Sequence, residues 1–358
     1  MGEVYAARSQ IYGTAVALKV LHAHLHADES WRQRFNVEGV VGQQLKHPNL
    51  LSARELVEQE GRVGLVMDLV KGAQTLEHVM RREFSGGLTL TQALHVVLGI
   101  LQGLEHAHEK KVVHGDIKPA NVLIEGPVRE PMNWNPLLTD FGTIGIVAHP
   151  VLVDGRPAVV ATPRYASPEH FMGVEALRPE SDIYCLGLLL HYLLTGEHAS
   201  TARSVEDAAT WVQAAVSVSR LIDYPESLLN LFRKATRPRA EDRFSSCRDF
   251  ALAIRMVLDT QGVDLQTRDV KPELATEVID DRQSQVQALR SGVSAPEDEG
   301  TDPIGNVAVE LLPLDEKEQA QRVATSYPSD ATGPSLFKLI LIGAGLGVLF
   351  FVVAMLML

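Results

Sequence analysis

The stretch Val112-Val113-His114-Gly115-Asp116-Ile117-Lys118-Pro119-Ala120-Asn121-Val122-Leu123-Ile124 constrains the chain more than any other. It sets an acid, an amine and an amide (Asp116, Lys118 and Asn121) between two apolar pairs, Val112-Val113 and Leu123-Ile124. The pairs read as short buried strands that hold a polar loop by both ends. A plain polar turn between core strands gives no reason for these three residue types to occur together.

Phosphoryl transfer gives a reason for all three. A carboxylate can orient and deprotonate an attacking hydroxyl, a lysine can neutralise charge on the moving group, and an amide oxygen can hold a metal ion. Nineteen positions after Asn121 comes Asp140, in Leu137-Leu138-Thr139-Asp140-Phe141-Gly142. An apolar strand that ends in Asp, Phe and Gly brings a metal-binding carboxylate, with a glycine that permits a backbone bend.

With both motifs in view, the chain resembles the eukaryotic-type serine/threonine protein kinases of bacteria, over residues 1 to about 258. The resemblance implies an α+β, bilobal fold with a small β-rich N-lobe (about 1–70) and a helical C-lobe (about 71–258). It makes Asp116 the catalytic aspartate, Lys118 its phosphate-side lysine, and Asn121 and Asp140 the metal ligands. ATP and Mg²⁺, with Mn²⁺ as a substitute, are the implied cofactors, and protein Ser or Thr hydroxyls the acceptors. One departure stands out: Gly115 occupies the position where the family commonly has Arg. With Gly115 there, and with no Ser or Thr between Ile144 and Ala161, activation by a phosphorylated loop gripped beside Asp116 is not expected.

The N-terminal portion yields the rest of the implied nucleotide site. Met1 to Arg8 reads as the tail of a glycine-rich turn running into a strand, with Gly2 matching the last of the family's three glycines and Val4 the valine that packs on adenine. The two earlier glycines are absent, so the start is expected to fall inside a longer gene product, the alternative being an incomplete flap over the ATP phosphates. In Ala15 to Leu21, Lys19 sits in a Val-Ala-Leu-Lys run that matches the lysine of the α and β phosphates, and Ala17 is assigned to the nucleotide site with it. The segment from Glu29 to Lys46 has helical spacing and carries Glu38, the expected partner of Lys19. Strands are expected over Leu50 to Glu58 and Val63 to Asp68. Met67 is then at the back of the adenine pocket, and Asp68-Leu69-Val70 is the hinge.

Further on, Thr91 to His108 has the pattern of a long helix under the catalytic loop, and Ser181 to Leu194 that of a capped, wholly buried helix. By the resemblance, Asp182 fixes the backbone amides of the catalytic loop, Thr162 approaches Asp116 and Lys118, and Glu169 of Ser167-Pro168-Glu169 pairs with Arg243. Helices around 205–218, 228–236 and 250–258 complete the lobe. Cys185 and Cys247 form no framework, and His22, His24 and His26 lack the partners of a metal site.

The net charge of −12 is unevenly spread. Residues 259–335 hold sixteen Asp or Glu against six Lys or Arg and read as an acidic linker or regulatory tail, in which Val307 to Leu314 forms a small local contact. Neither part has the positive excess that a nucleic-acid partner requires. In residues 336–358, Leu339 to Leu358 is a run of twenty uncharged apolar or small residues, long enough to cross a bilayer core of about 30 Å as a helix. A single-pass protein of the cell membrane is expected, with its kinase domain cytoplasmic and no receptor domain outside. Gly343 and Gly347, four apart, offer a face for pairing of two copies as a homodimer. The competing reading of the whole chain is an inactive, kinase-like membrane scaffold.

Overall fold

The computed structural model describes residues 2–9, 13–26, 28–59, 62–141, 152–153, 156–157, 162–172, 176–262 and 309–311. Among them the chain forms the expected bilobal α+β architecture, a twisted antiparallel sheet followed by a helical lobe.

The N-lobe contains β1 (Gly2–Ser9), β2 (Ala15–Leu21), helix α1 (Glu29–Gln44), β3 (Ala53–Gln59) and β4 (Arg62–Asp68). Period-2 alternation gives each strand two distinct faces. Val16, Leu18 and Val66 pack on one side with Ala7 and Val57, whereas Ala17, Leu65 and Met67 pack on the other with Phe35 of α1. The register aligns Val4 with Lys19, Ala6 with Ala17, Ala17 with Met67 and Lys19 with Leu65. Val4, Ala17, Lys19 and Met67 therefore share a face. The β3 strand starts three residues later than expected, with a register irregularity between Ala53 and Glu55.

The C-lobe opens with β5 (Gln74–Thr75), α2 (Leu76–Glu83) and α3 (Leu90–Glu109). Thr89 caps α3 reciprocally with Gln92, which satisfies backbone N–H groups left over by the first turn. Strands β6 (Val122–Glu125) and β7 (Asn135–Leu138) form an antiparallel pair with β5 on their edge, and β8 (Leu152–Val153) pairs β9 (Arg156–Pro157). Helices α4 (Pro179–Thr195), α5 (Val205–Trp211), α6 (Glu226–Ala235) and α7 (Cys247–Thr260) follow. The α4 helix is buried along its whole length from Ser181 to Leu194, and α3, α6 and α7 contribute to the same core.

Several expectations are corrected. Val112-Val113 is half-buried irregular chain, not a strand, because the loop beside it is held by side chains instead of by a ladder. The helix expected over 205–218 stops at Trp211, and β5 and α2 arise where no element was expected. Within the acidic segment, Val309–Leu311 forms β10, which pairs antiparallel with β1 at Ala7 to Ser9 and covers that sheet edge. Among the described residues no helix is long and apolar enough to cross a membrane. The expected span at 336–358, Gly142, and most of the loop between Phe141 and Thr162 lie outside the described residues.

Candidate active site

The catalytic-loop stretch takes its shape from Asp182, at the buried start of α4. Its carboxylate accepts the backbone N–H of His114 at 2.9 Å and of Gly115 at 2.7 Å. It also meets His108 Nε2 from α3 at 2.8 Å, a partner with no signature near either residue. Burial alone would raise the Asp182 carboxyl pKa, but the His108 contact and the Gly115 amide outweigh it and hold the group below the usual carboxylate range. Gly115 has φ = 71°, a left-handed conformation that a Cβ disfavours, so the residue that departs from the family pattern suits its backbone.

Beyond Gly115, Asp116 N–H donates to His114 Nδ1 at 3.1 Å, which leaves the imidazole Nε2–H to donate to Thr139 O at 2.8 Å. The Asp116 carboxylate faces three donors. Lys118 Nζ lies 2.7 Å from Oδ2, Asn121 Nδ2 lies 3.0 Å from Oδ2, and Thr162 Oγ1 donates to Oδ1 at 3.1 Å. Lys118 also donates to Thr162 Oγ1 at 2.8 Å, so an aliphatic hydroxyl sits between the carboxylate and the ammonium.

Across the cleft, Lys19 Nζ lies 2.7 Å from Glu38 Oε1 and 2.6 Å from Asp140 Oδ1. Burial opposes a charged lysine here, but the carboxylates of Asp140 and Glu38 override it and raise the pKa. Burial pushes the Glu38 carboxyl up against the pull of Lys19, and Glu38 Oε2 has no hydrogen-bond partner. For Asp140, enclosure by the cleft walls raises the pKa, and the Lys19 ammonium more than reverses this. Asp140 has φ = 62°, an uncommon value for a non-glycine residue, of the kind concentrated at functional positions. Phe141 is buried against the His114 ring at 4.7 Å between centroids.

The sheet face that carries Lys19 also carries its register partner Val4, apolar and still 48% exposed, and the small Ala17, which pairs with Ala6. A Cβ on Gly2 would meet the Val20 carbonyl oxygen at 2.4 Å, so β1 approaches β2 there only as glycine. Met67 is buried next to Ala17 in the register. Asp68 ends β4 with its carboxylate on Arg54 Nε at 2.7 Å.

Beneath the substrate-facing segment, Arg243 and Glu169 form a buried two-point pair at 3.0 and 2.9 Å. Burial raises the Glu169 carboxyl pKa, but Arg243, Ser167 and Ser181 hold it below its ordinary value. The residue after Glu169 is one the sequence reading missed. His170 is buried, with Nε2 2.7 Å from Gly115 O and Nδ1 3.0 Å from Ser167 N.

A bilobal fold with one cleft, a lysine tied to a helix carboxylate on one side and an Asp-Lys-Asn loop on the other, defines a protein kinase. The protein kinase domain family matches residues 1–255, and the chain belongs to that family. Its relatives include the serine/threonine-protein kinase PknF of Mycobacterium tuberculosis, 32% identical over 276 residues, which are 76% of this chain and 57% of the relative. PrkC of Bacillus subtilis is 31% identical over 267 residues, 74% of this chain and 40% of the relative. The chain thus spans little more than half the length of the first of these and less of the second. Among solved structures, the Mycobacterium tuberculosis PknI kinase domain is similar at 27% identity and a TM-score of 0.56, covering 72% of this chain and 91% of that one.

Proposed function

We propose that this protein is an ATP-dependent serine/threonine protein kinase. The observation that carries the proposal is the convergence of Asp116, Lys118 and the Thr162 hydroxyl, which places an aliphatic hydroxyl between a carboxylate and an ammonium. In this reading Asp116 accepts or directs the proton of the acceptor hydroxyl, and Lys118 stabilises charge on the transferred group. Lys19, oriented by Glu38, grips the α and β phosphates. Val4, Ala17 and Met67 enclose the adenine, and the Asp68 to Val70 backbone reads its edge.

Asp140 and Asn121 would hold Mg²⁺, or Mn²⁺ in its place, which when bound would supply positive charge against the phosphates. The residues fit such an ion. Both offer oxygen, the Asp140 side chain is 45% exposed, and Asn121, with Nδ2 committed to Asp116, has Oδ1 to give. The exposed Val4 and the small Ala17, which share one sheet face, likewise suit a flat ring. The full chain, incubated with γ-labelled ATP, Mg²⁺ and a Ser- and Thr-containing protein, is expected to label that protein. Labelling absent from wild type, or equal in Asp116→Asn, would favour the inactive-scaffold reading.

The uncharged run from Leu339 to Leu358 carries a separate proposal, single-pass anchoring in the cell membrane with the kinase domain on the cytoplasmic side.

A further inference from the structure

We infer that His170 is a positioning residue that sets the orientation of Asp116 by holding the Gly115–Asp116 peptide plane. This rests on the reading of Asp116 as the group that directs the acceptor hydroxyl. The two polar atoms of that plane are Gly115 O and Asp116 N–H. Asp116 N–H donates to His114 Nδ1 at 3.1 Å, and Gly115 O lies 2.7 Å from His170 Nε2.

The tautomer of His170 follows from its other side. The Ser167 backbone N–H points at Nδ1 from 3.0 Å, and an N–H has nothing to accept with, so Nδ1 is the bare nitrogen. The proton is therefore on Nε2, donated to the Gly115 carbonyl. Ser167 Oγ lies 2.8 Å from the same nitrogen. His170 is 5% exposed and Ser167 fully buried, so water does not compete for these bonds.

The consequence is mechanical. Gly115 is in a left-handed conformation at φ = 71°, and glycine is the residue with the widest backbone freedom. Where an Arg side chain would restrict that position, this chain has none, so the peptide needs external restraint. Asp182 holds the N–H of Gly115 and His170 its C=O. His170 follows directly on Glu169, which Arg243 locks into the C-lobe, so the restraint transmits the position of the substrate-facing segment to Asp116.

Gln can reach with an N–H donor, whereas Met fills similar space without one. In the full chain, His170→Met is expected to lower kcat at least tenfold with KM for ATP unchanged, because Lys19, Asn121 and Asp140 are untouched; His170→Gln is expected to recover most of the rate. Equal kcat for His170→Met and wild type would overturn the inference, as would a loss in His170→Gln as large as in His170→Met. If wild type itself transfers no phosphate, it is the kinase reading that fails.

Discussion

Lys19 is the residue on which the two halves of the site depend, because it is the cation between two carboxylates from distant parts of the chain. Lys19→Met strands the buried Glu38, whose carboxyl is already pushed up by burial, and is expected to cost about 3–5 kcal/mol of stability, read from denaturant unfolding. Glu38→Gln removes the charge that burial disfavours and leaves Lys19 its Asp140 contact. Its cost is expected to be smaller, about 1.5–3 kcal/mol, the range for losing one charge-assisted hydrogen bond. An equal loss in both variants would contradict the view that the uncompensated Glu38 charge is what matters. At Gly115, substitution by Ala places a Cβ at φ = 71° and is expected to destabilise by about 1–2 kcal/mol, measured the same way.

At the scale of elements, the substrate-facing segment and α4 are fastened to the C-lobe by carboxylates rather than by apolar contact alone. Glu169 and Asp182 both have pKa values lowered by folding. Each therefore contributes stability that is fully present above the ordinary carboxylate pKa of about 4 and is lost as pH falls through the lower folded value. Unfolding midpoints followed from pH 7 to pH 3 are expected to fall steeply only below about pH 4, and Glu169→Gln is expected to flatten that dependence. These fastenings were unequally legible in the sequence. Glu169, Arg243 and Asp182 were legible only through the resemblance to the kinase family, whereas the long helices α3 and α4 announce themselves by apolar spacing. His108 and His170 do not, since their partners are 74 and 55 positions away and nothing in their own neighbourhoods points to them. The adjacency of His170 to Glu169 was the only available hint. Val112-Val113 misled for the converse reason: two β-branched residues have strand propensity, but among the described residues no strand pairs with them.

For the whole molecule, the proposed reading gives catalytic chemistry to residues 1–258 and location to the residues after them. The acidic segment 259–335 is not wholly separate, because Val309–Leu311 adds a strand to the edge of the N-lobe sheet. Removal of residues 336–358 is expected to move the protein from washed membranes to the soluble fraction while its phosphotransfer rate stays within about twofold, the scale of a fraction of a kcal/mol; persistence in membranes would contradict anchoring by this run. Gly343→Ile with Gly347→Ile is expected to weaken cross-linking between tagged copies and leave anchoring intact. The central claim, that Asp116 and Lys118 act on an aliphatic hydroxyl, is tested most directly by initial rates of phosphate transfer to three peptides differing only in a Ser, Thr or Tyr acceptor. Wild type is expected to phosphorylate the Ser and Thr peptides and leave the Tyr peptide near background, with Asp116→Asn slower by about 10²–10⁴-fold, the usual contribution of a positioned general base. A Tyr rate equal to the others, or an unchanged rate in Asp116→Asn, would contradict it.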